Sequence, residues 1–397
     1  MAARREITKK FAAQYAAAGR AEKGRILDTL VATTGWTRDH ARRAIRNAKE
    51  RTGPARQQQR RSRARKYSYD ALIVLQEVWR LSGQPSGKYL AVVMDDTIER
   101  LLRFGELGKV ASRATPEVLD ELTQMSAATI DRYLKPHKDA AYPAALSPTR
   151  PSQILRSSIP VRTSMDGPPP GPGFYELDTV AHCGHTLKGE FLRTLTATDP
   201  VTGWTLIRSI RNNAHIHIHR AMDWVRRNSP VPVAGMDFDN GTEFLNWSVV
   251  AWCDVHNIAM TRGRPYEKND NAHVEQRNGD WVRKHAFRYR YETAAELALL
   301  NELWSLVMAR KNHLLPCVKA TGWATTASGR KKRTYDKPRT PYQRLLDSGA
   351  LDDRAAERLE NEHVDLNPAR ITRRINHLQK QLIELAAART QGTRPGA

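Results

Sequence analysis

Two kinds of hydrophobic spacing divide the 397-residue chain. Up to about residue 138, apolar residues recur every three or four positions, which predicts helices. From Phe174 onwards the spacing changes to that of strands, and 174–183, 190–199 and 204–211 are strand candidates. Further strands are then expected at 231–237 and 258–261, and helices at 215–227, 244–256, 269–285 and 293–312. A three-stranded meander followed by this alternation predicts an α/β domain built around a mixed sheet. We expect the first strand to lie at the centre of the sheet.

The first helical region contains a helix-turn-helix pattern. Residues 20–49 predict two helices around a tight turn at Gly35-Trp36, with Thr37 as the cap of the second helix. In a helix-turn-helix the second helix enters the major groove of DNA, whereas an ordinary αα-hairpin on the surface is the alternative. Four arginines on the second helix are the candidate DNA contacts: Arg38, Arg42, Arg43 and Arg46.

A second unit of the same kind lies further along, within a helical region at 67–138. Residues 116–135 predict two short helices, and Ser126 can cap the second of them. Arg132 and Lys135 point outward in this prediction and are candidate DNA contacts. Two such units in tandem would read a longer DNA site than one.

Two segments have the composition of linkers. Residues 50–66, at the end of the first module (1–66), are rich in Gln and Arg. Residues 139–173 are rich in proline, and this excludes both a helix and a central strand in that segment. The basic linker either lies along phosphates or is a solvated tether. Its candidate DNA contacts are Arg60, Arg61, Arg63 and Arg65.

The C-terminal region, 313–397, opens with a predicted basic loop at 329–333 and continues with helices near 341–346 and 369–389. The last helix carries a short heptad seam that packs either on a partner subunit or within the chain. The seam residues are Ile371, Ile375, Leu378, Leu382 and Leu385.

Charge narrows the choice of partner. The chain carries a net charge of +22, with a sequence pI near 10.1, and residues 1–65 hold 18 basic and 5 acidic residues. This excess predicts a polyanionic partner, with nucleic acid first and an acidic membrane surface second. No apolar run approaches the roughly 20 residues that span a bilayer, and the N-terminus has no apolar signal core. We therefore expect a cytoplasmic protein, associated with the bacterial nucleoid and not with a membrane.

The cysteines exclude two kinds of site. Cys183, Cys253 and Cys317 are odd in number and form no CxxC pair. A disulfide framework and a cysteine-based zinc site are therefore not expected, and we interpret the three as reduced structural thiols.

Three separated carboxylates carry the candidate chemistry. Asp178 lies in an apolar strand, Asp239 follows another strand, and Glu275 lies on a predicted helix over 269–285. A buried carboxylate needs a partner or a metal ion. On a strongly basic chain, the three predict a divalent-metal site that acts on nucleic-acid phosphates, with two Mg²⁺ or Mn²⁺ ions.

Several neighbouring residues leave alternatives open. Asp237 competes with Asp239 as the second acid. Arg264 and Lys268 are candidate phosphate contacts, and Arg262 and Arg277 also flank the acids. Three histidines at alternate positions open a predicted helix and are read as structural or DNA-contacting, with a metal role as the alternative: His215, His217 and His219.

Segment 174–312 resembles the integrase-core domain of DDE transposases and retroviral integrases, which has a ribonuclease-H-like fold. Asp178 matches the acid of the first strand. Asp239 matches the second acid through its Asp-Asn-Gly-x-Glu-Phe context, and 35 residues separate it from Glu275, as is usual in this family. The upstream helical units resemble those of bacterial insertion-sequence transposases more loosely. The zinc module of retroviral integrases has no counterpart in the sequence.

This resemblance implies a multidomain chain with α-helical helix-turn-helix modules, a central ribonuclease-H-like catalytic domain at 174–312 and a mostly helical C-terminal tail. It implies a transposase that binds terminal inverted repeats, cleaves at the ends and joins 3′-hydroxyls to target DNA. Its expected partners are double-stranded DNA and further copies of itself in a dimer or tetramer, with a helper ATPase as an optional partner. The alternatives are a DNA-binding regulator with a vestigial catalytic domain, and a nuclease of the same fold without strand transfer.

Overall fold

A computed structural model describes residues 2–49, 66–138, 169, 171–238, 243–244, 246–263, 272–325, 329 and 331–392. The chain divides into two compact units, Met1–Lys66 and Tyr67–Ala397. The predicted linker at 139–173 lies mostly outside the described residues, as do Arg60, Arg61, Arg63 and Arg65 in the basic linker.

The first unit is a group of three helices: α1 (Ala2–Ala17), α2 (Arg20–Thr34) and α3 (Arg38–Lys49). The two helices predicted between 20 and 49 are confirmed. Gly35 ends α2 in the left-handed conformation at φ 69°, which favours glycine, and Thr37 Oγ1 accepts a hydrogen bond from the His40 amide at 3.3 Å. Leu30, Ala41 and Ile45 form the centre of a small core.

The second unit begins with a helical region. It contains α4 (Tyr69–Leu81), α5 (Gly87–Leu90), α6 (Met94–Arg103), a 3₁₀ turn (Gly108–Arg113), α7 (Pro116–Thr123) and α8 (Ala127–Lys138). The helices α7 and α8 lie where two short helices were predicted between 116 and 135, and Ser126 Oγ accepts from the Thr129 amide at 3.3 Å. Leu75, Val78, Leu122 and Leu134 are buried in one shared core.

A five-stranded mixed sheet follows. Its strands are β1 (Phe174–Ala181), β2 (Arg193–Thr198), β3 (Thr205–Ile210), β4 (Gly235–Phe238) and β5 (Ala259–Arg262). The strand order is β3-β2-β1-β4-β5. The first three strands pair antiparallel, and β4 and β5 are parallel to β1. The predicted meander and the central position of β1 are confirmed, and the sheet is compatible with the predicted ribonuclease-H-like core.

Helices cover both faces of the sheet. The helices are α9 (His215–Asn228), α10 (Trp247–Val255), α11 (Ala272–Arg277), α12 (Lys284–Ala286) and α13 (Ala294–Met308). On β1, Tyr175 and Leu177 pack in one core with α9 and α10, whereas Val180 packs in another with α13. Successive side chains of a strand point to opposite faces, so Glu176 and Asp178 share the face of Val180.

Several predicted boundaries were wrong. The strand expected from 231 begins only at Gly235, after Pro230 and Pro232, which lack the amide hydrogen that a ladder needs. The helix expected from 244 begins at Trp247, because Asn246 Oδ1 caps it by accepting from the Val249 amide at 3.0 Å. Two predicted α-helices change to π-helix, at Asn278–Arg283 and Ala309–Leu314.

The C-terminal region adds a two-stranded sheet and three helices. These are β6 (Ala320–Thr325), β7 (Lys331–Tyr335), α14 (Pro341–Asp347), α15 (Asp353–Val364) and α16 (Pro368–Gly392). The basic loop predicted at 329–333 was wrong for Lys331–Arg333, which pair with β6. A strand of consecutive basic residues has no apolar alternation, so its sequence did not reveal it.

The heptad seam on α16 docks within the chain. Ile371, Ile375, Leu378 and Leu382 are buried in the core that also holds α13. Leu385, by contrast, is 42% exposed. Further links tie α16 to the helical region, because Thr372 Oγ1 donates to the Leu81 carbonyl at 2.7 Å. None of the helices in the described part of the chain is both long and apolar enough to cross a membrane.

Candidate active site

Asp178 lies on the central strand, opposite Thr196 of β2. One carboxylate oxygen accepts the Thr179 amide at 2.6 Å, and the other accepts Nδ2 of Asn278 at 2.5 Å. The side chain is partly buried. The candidate acid is therefore held from its own strand and from the π-helix that crosses it.

The surroundings of Asp178 disfavour its charge. The pKa of its carboxyl is raised to about 6, mainly by burial and also by the nearby acids Glu243 and Glu275, against the lowering effects of the Thr179 amide and the Arg283 guanidinium. Acids that lie close enough to repel one another are typical of catalytic sites and of cation sites.

Glu275 lies on α11, and Glu176 fastens that helix to the sheet. One oxygen of Glu176 accepts the backbone amides of His273 and Val274, both at 3.1 Å. The other accepts Nδ1 of His273 at 2.9 Å. Glu176 is buried, and amides of the first helical turn have no partner within their helix. The carboxylate of Glu176 therefore fixes the start of the helix that carries Glu275.

Asn278 provides the second link between this helix and β1. It is fully buried, whereas Glu275, three residues earlier, is exposed. Its amide nitrogen donates to Asp178, whereas its side-chain oxygen has no hydrogen-bond partner among the described residues. The π-helix begins at this residue, and π-helical turns occur frequently at functional sites.

Glu243 binds Thr179, the neighbour of Asp178 whose side chain points to the opposite face of the sheet. Its carboxylate accepts Thr179 Oγ1 at 2.8 Å and Nη1 of Arg193 at 3.0 Å. Glu243 lies in the turn before α10, which starts at Trp247.

The second predicted acid, Asp239, lies outside the described residues, as do Arg264 and Lys268. The residue before Asp239 is Phe238, which pairs with Leu177, the residue before Asp178. Its competitor Asp237 is buried within β4 and accepts a hydrogen bond from the Thr261 hydroxyl. Asp237 therefore lies inside the sheet rather than at the strand end.

The candidate DNA contacts of the first unit differ among themselves. Arg38 pairs with Asp28 and Arg42 with Asp39, whereas Arg43 and Arg46 are exposed. In the second unit, Lys135 is exposed, and Arg132 is exposed and donates to Thr129 Oγ1 at 3.1 Å. All of them stay predicted contacts.

The chemistry of these residues suits a divalent cation. Asp178 and Glu275 offer carboxylate oxygens, the donors that Mg²⁺ prefers, and the raised pKa of Asp178 shows a place where positive charge would be favourable. The described residues contain no group of three or more His, Cys, Asp or Glu side chains able to hold a metal ion. Asp239 is not among those residues. The donors present fit such a cation.

The three predicted histidines lie at the start of α9. His215 and His219 have ring centroids 6.2 Å apart, and His219 Nε2 lies 3.3 Å from Ser248 Oγ. The cysteines Cys183, Cys253 and Cys317 are free thiols.

Comparison with known proteins identifies one relative of nearly the same length. The chain is 34% identical over 344 residues, 87% of its length, to "Uncharacterized protein y4rM" of Sinorhizobium fredii (strain NBRC 101917 / NGR234), of which 95% is covered. The chain belongs to the y4rM family. No family model matches it.

Among solved structures, the catalytic core domain of BIV integrase aligns with 45% of this chain and 96% of its own, at 17% identity and a TM-score of 0.31. A TM-score of this size does not establish a common fold. The description of the y4rM-family sheet therefore rests on its own strand order.

The sequence interpretation missed three groups at this site. Glu176 lies two residues before Asp178, so the period of a strand was the signal that would have found it. Arg193 and Arg283 reach the site from β2 and from the π-helix, and no local motif marks either of them.

Proposed function

We propose that this chain is a DNA transposase whose acids Asp178, Asp239 and Glu275 act on the phosphodiesters at the ends of a mobile element. The choice of a transposase in this proposal rests on the motif resemblance in the sequence. Its principal structural support is the surroundings of Asp178 on β1, where this partly buried acid lies near Glu275 and Glu243 and its pKa is raised to about 6.

The way α11 is held also supports the proposal. Glu176 binds the first turn of α11 and Asn278 binds Asp178 itself. Two hydrogen-bonded links over a short helix limit how far Glu275 can move relative to Asp178. Such fixed geometry is what phosphoryl transfer requires, since positioning and electrostatics provide most of its rate enhancement.

In the proposed reaction, a water oxygen attacks phosphorus at the element end and the 3′-oxygen of the element strand leaves. The freed 3′-hydroxyl then attacks a target phosphodiester, so that one P–O bond forms and one breaks in each step. Asp178, Asp239 and Glu275 would hold two Mg²⁺ or Mn²⁺ ions. Bound divalent cations activate the attacking oxygen and stabilise the leaving oxygen.

The remaining residues of the site have positioning roles in this proposal. Asn278 orients Asp178, and Glu176 orients the helix of Glu275. Arg193 neutralises Glu243 and ties it to Thr179, which keeps that acid turned away from the nucleic acid. Arg283 places positive charge near Asp178, where phosphate charge would arrive.

The helical modules would supply DNA recognition in this scheme. The helix α3 exposes Arg43 and Arg46, and α8 exposes Arg132 and Lys135. The net charge of +22 supports a nucleic-acid partner. Two element ends must meet for joining, so we propose a dimer or tetramer and leave a helper ATPase as an optional partner.

The experiment joins pre-cut element ends to supercoiled target DNA with purified protein in Mg²⁺. The proposal predicts joined products with the unmodified chain and a loss of at least about 1,000-fold with Asp178→Asn, Asp239→Asn or Glu275→Gln, because each removes a charge that stabilises the transition state by several kcal/mol. Asp237→Asn serves as a matched control and should retain more activity than Asp239→Asn.

Three results would decide against it. Full joining by Asp178→Asn or Glu275→Gln contradicts the assignment of the acids. Tight binding of end DNA without cleavage or joining in Mg²⁺ or Mn²⁺ favours the regulator. Cleavage without joining of pre-cut ends favours the nuclease.

A further inference from the structure

The two-stranded sheet of β6 and β7, called the ribbon below, stands apart from the core. Every residue of both strands is exposed or half-exposed. Its sheet contains these two strands alone. An isolated two-stranded hairpin is marginally stable in water. A ribbon that buries so little of itself needs either a rigid base or a partner.

The base of the ribbon is rigid. Asp336 accepts the Lys319 amide at 2.7 Å and pairs with Arg344 at 2.6 Å. Arg344 also donates to the Cys317 carbonyl at 3.1 Å, and Cys317 bridges to Arg339. These contacts fix the point where the chain leaves and re-enters the core. The strands beyond them are presented to solvent.

The charge of the ribbon has one sign. Lys331, Lys332 and Arg333 follow one another along β7, and all three are exposed. The sequence from 319 to 337 holds six basic residues and a single acid, Asp336. That acid is already bound to Arg344 at the base. The strands therefore present positive charge to any partner.

Two exposed aromatic rings accompany this charge. Trp323 is 67% exposed and Tyr335 52% exposed. The Arg333 guanidinium lies over the Trp323 ring at 5.8 Å, and Trp323 and Arg333 are directly paired across the ribbon. An alternative explanation for lysines on an edge strand is that they prevent strand-to-strand aggregation and bind nothing. An exposed tryptophan has the opposite effect, so aggregation control does not explain the ribbon.

The ribbon leaves the core close to the helix of Glu275. A cavity of about 380 Å³ is lined by Gln276 and Arg277 on one side and by Cys317 and Val318, which lead into β6, on the other. Arg277 also donates to the Gly203 carbonyl at 3.4 Å. A nucleic acid that reaches Glu275 would pass near the base of the ribbon.

We propose that the ribbon is a DNA-binding arm that lies in a groove of duplex DNA. Lys331, Lys332 and Arg333 contact phosphates, and Trp323 packs against sugars and base edges. A two-stranded ribbon fits the major groove, and apolar side chains wedge into the minor groove. The inference rests on the proposed function for the choice of DNA as the polyanion, and it adds a contact surface that the helical modules do not supply.

The test measures the affinity of the full chain for a labelled 40-base-pair duplex by fluorescence anisotropy, in EDTA and over a range of salt. The variant Lys331→Gln/Lys332→Gln/Arg333→Gln should bind at least about tenfold more weakly at low salt, and the slope of log K against log salt should fall by about 2 to 3, since each phosphate contact contributes roughly 0.9. The matched control Arg354→Gln/Arg358→Gln/Lys380→Gln removes the same charge from α15 and α16. It should leave most of that slope in place.

Substitutions of Trp323 test the aromatic contact with DNA separately. Trp323→Ala should weaken binding about fivefold with an unchanged salt slope, and Trp323→Phe should restore most of it. Hydrogen exchange should show protection of residues 319–337 when duplex is added. That readout does not depend on any substitution, so it survives if a variant folds poorly.

Three results would overturn the inference. The ribbon variant could keep the salt slope of the unmodified chain, or the control variant could lose as much DNA affinity as the ribbon variant. Added duplex could also leave the hydrogen exchange of residues 319–337 unchanged. A ribbon variant that binds DNA normally but loses self-association would assign the ribbon to a protein interface instead. The EDTA condition separates the two proposals. Binding that depends on the ribbon without any joining in Mg²⁺ contradicts only the transposase, and joining with ribbon-independent binding contradicts only the arm.

Discussion

Asp178 and Glu106 are two carboxylates of the same unit in opposite surroundings. Glu106 accepts both terminal nitrogens of Arg373, at 2.7 and 2.8 Å, and Nδ2 of Asn367 at 2.8 Å. Hydrogen bonds from Arg373 hold the pKa of Glu106 below its usual value. At Asp178, burial and two neighbouring acids raise the pKa to about 6.

The difference distinguishes an acid that stabilises the fold from one arranged for chemistry. Glu106 joins the helical region to α16, and its charge is favourable where it lies. The charge of Asp178 is unfavourable in the chain alone, and the fold nevertheless keeps it near Glu275 through Glu176 and Asn278. Structures retain such local costs mainly at functional sites.

Outside the three acids, the largest effect is expected for the residue that anchors α11. Glu176→Ala leaves two amides of the first helical turn without their acceptor, so joining should fall about 10- to 100-fold, as for other residues that orient metal ligands. Glu176→Gln keeps an oxygen for these amides and should retain most activity. Rates of joining and the melting temperature of both variants, measured together, separate helix positioning from general destabilisation.

If Glu176→Ala joins ends at the normal rate while its melting temperature falls, Glu176 is a structural acid like Glu106. The comparison between the two regions would then fail at this residue.

A smaller effect is expected at Asn278. Asn278→Ala removes the donor that holds Asp178, and joining should fall about tenfold, within the range seen for residues one step removed from a metal. The Mg²⁺ concentration needed for half-maximal rate should rise in the same variant. Asn367→Ala is the control, because it removes the equivalent amide donor from Glu106. It should leave both the rate and the Mg²⁺ requirement unchanged.

The contributions of Asp178 and Glu106 to the free energy of unfolding should depend on pH with opposite sign. The pKa of Asp178 is raised on folding, so its contribution favours folding at low pH and is lost as the pH rises through about 6. In metal-free buffer at pH 7, Asp178→Asn should therefore be about 1 kcal/mol more stable than the unmodified chain. That gain should vanish near pH 4. Denaturant unfolding at both pH values measures it, and an Asn variant less stable at pH 7 would contradict the pKa.

The smallest effect is expected at Glu106. Its pKa is lowered on folding, so its contribution is present above the unfolded pKa and is lost as the pH falls. Glu106→Gln should lose about 0.5 to 1 kcal/mol at pH 7, since Arg373 is half-exposed and solvent screens the pair. The loss should shrink towards pH 3. Joining activity should stay unchanged, and a reduced rate would show that this region also serves the chemistry.

The sequence predicted those parts of the fold that depend on local pattern. Hydrophobic spacing located α2, α3, α7, α8 and the meander of β1 to β3, because each buries one continuous apolar face. It missed α15, in which Leu359 is the one residue that is buried. It also missed the change from α- to π-helix at Asn278, since that change depends on contacts with β1 rather than on the helix itself.

The candidate site was predicted in the same uneven way. Asp178 and Glu275 were found from their apolar and helical contexts and from the family motif. Glu176, which anchors the helix of Glu275, was not found, because it acts through His273, a partner 97 residues distant in sequence. A pattern read along one strand gives no information about which distant side chain will meet it.

The most direct test of the account asks whether the acids near Asp178 bind a divalent cation in the absence of DNA. At pH 7, adding Mg²⁺ should raise the melting temperature of the unmodified chain and of Glu106→Gln. Mg²⁺ at tenfold excess over its Kd should add about 1.4 kcal/mol of stability. Asp178→Asn should show no such rise. An equal rise in Asp178→Asn, or none in the unmodified chain, would contradict the claim that the group of acids around Asp178 is a cation-dependent catalytic site.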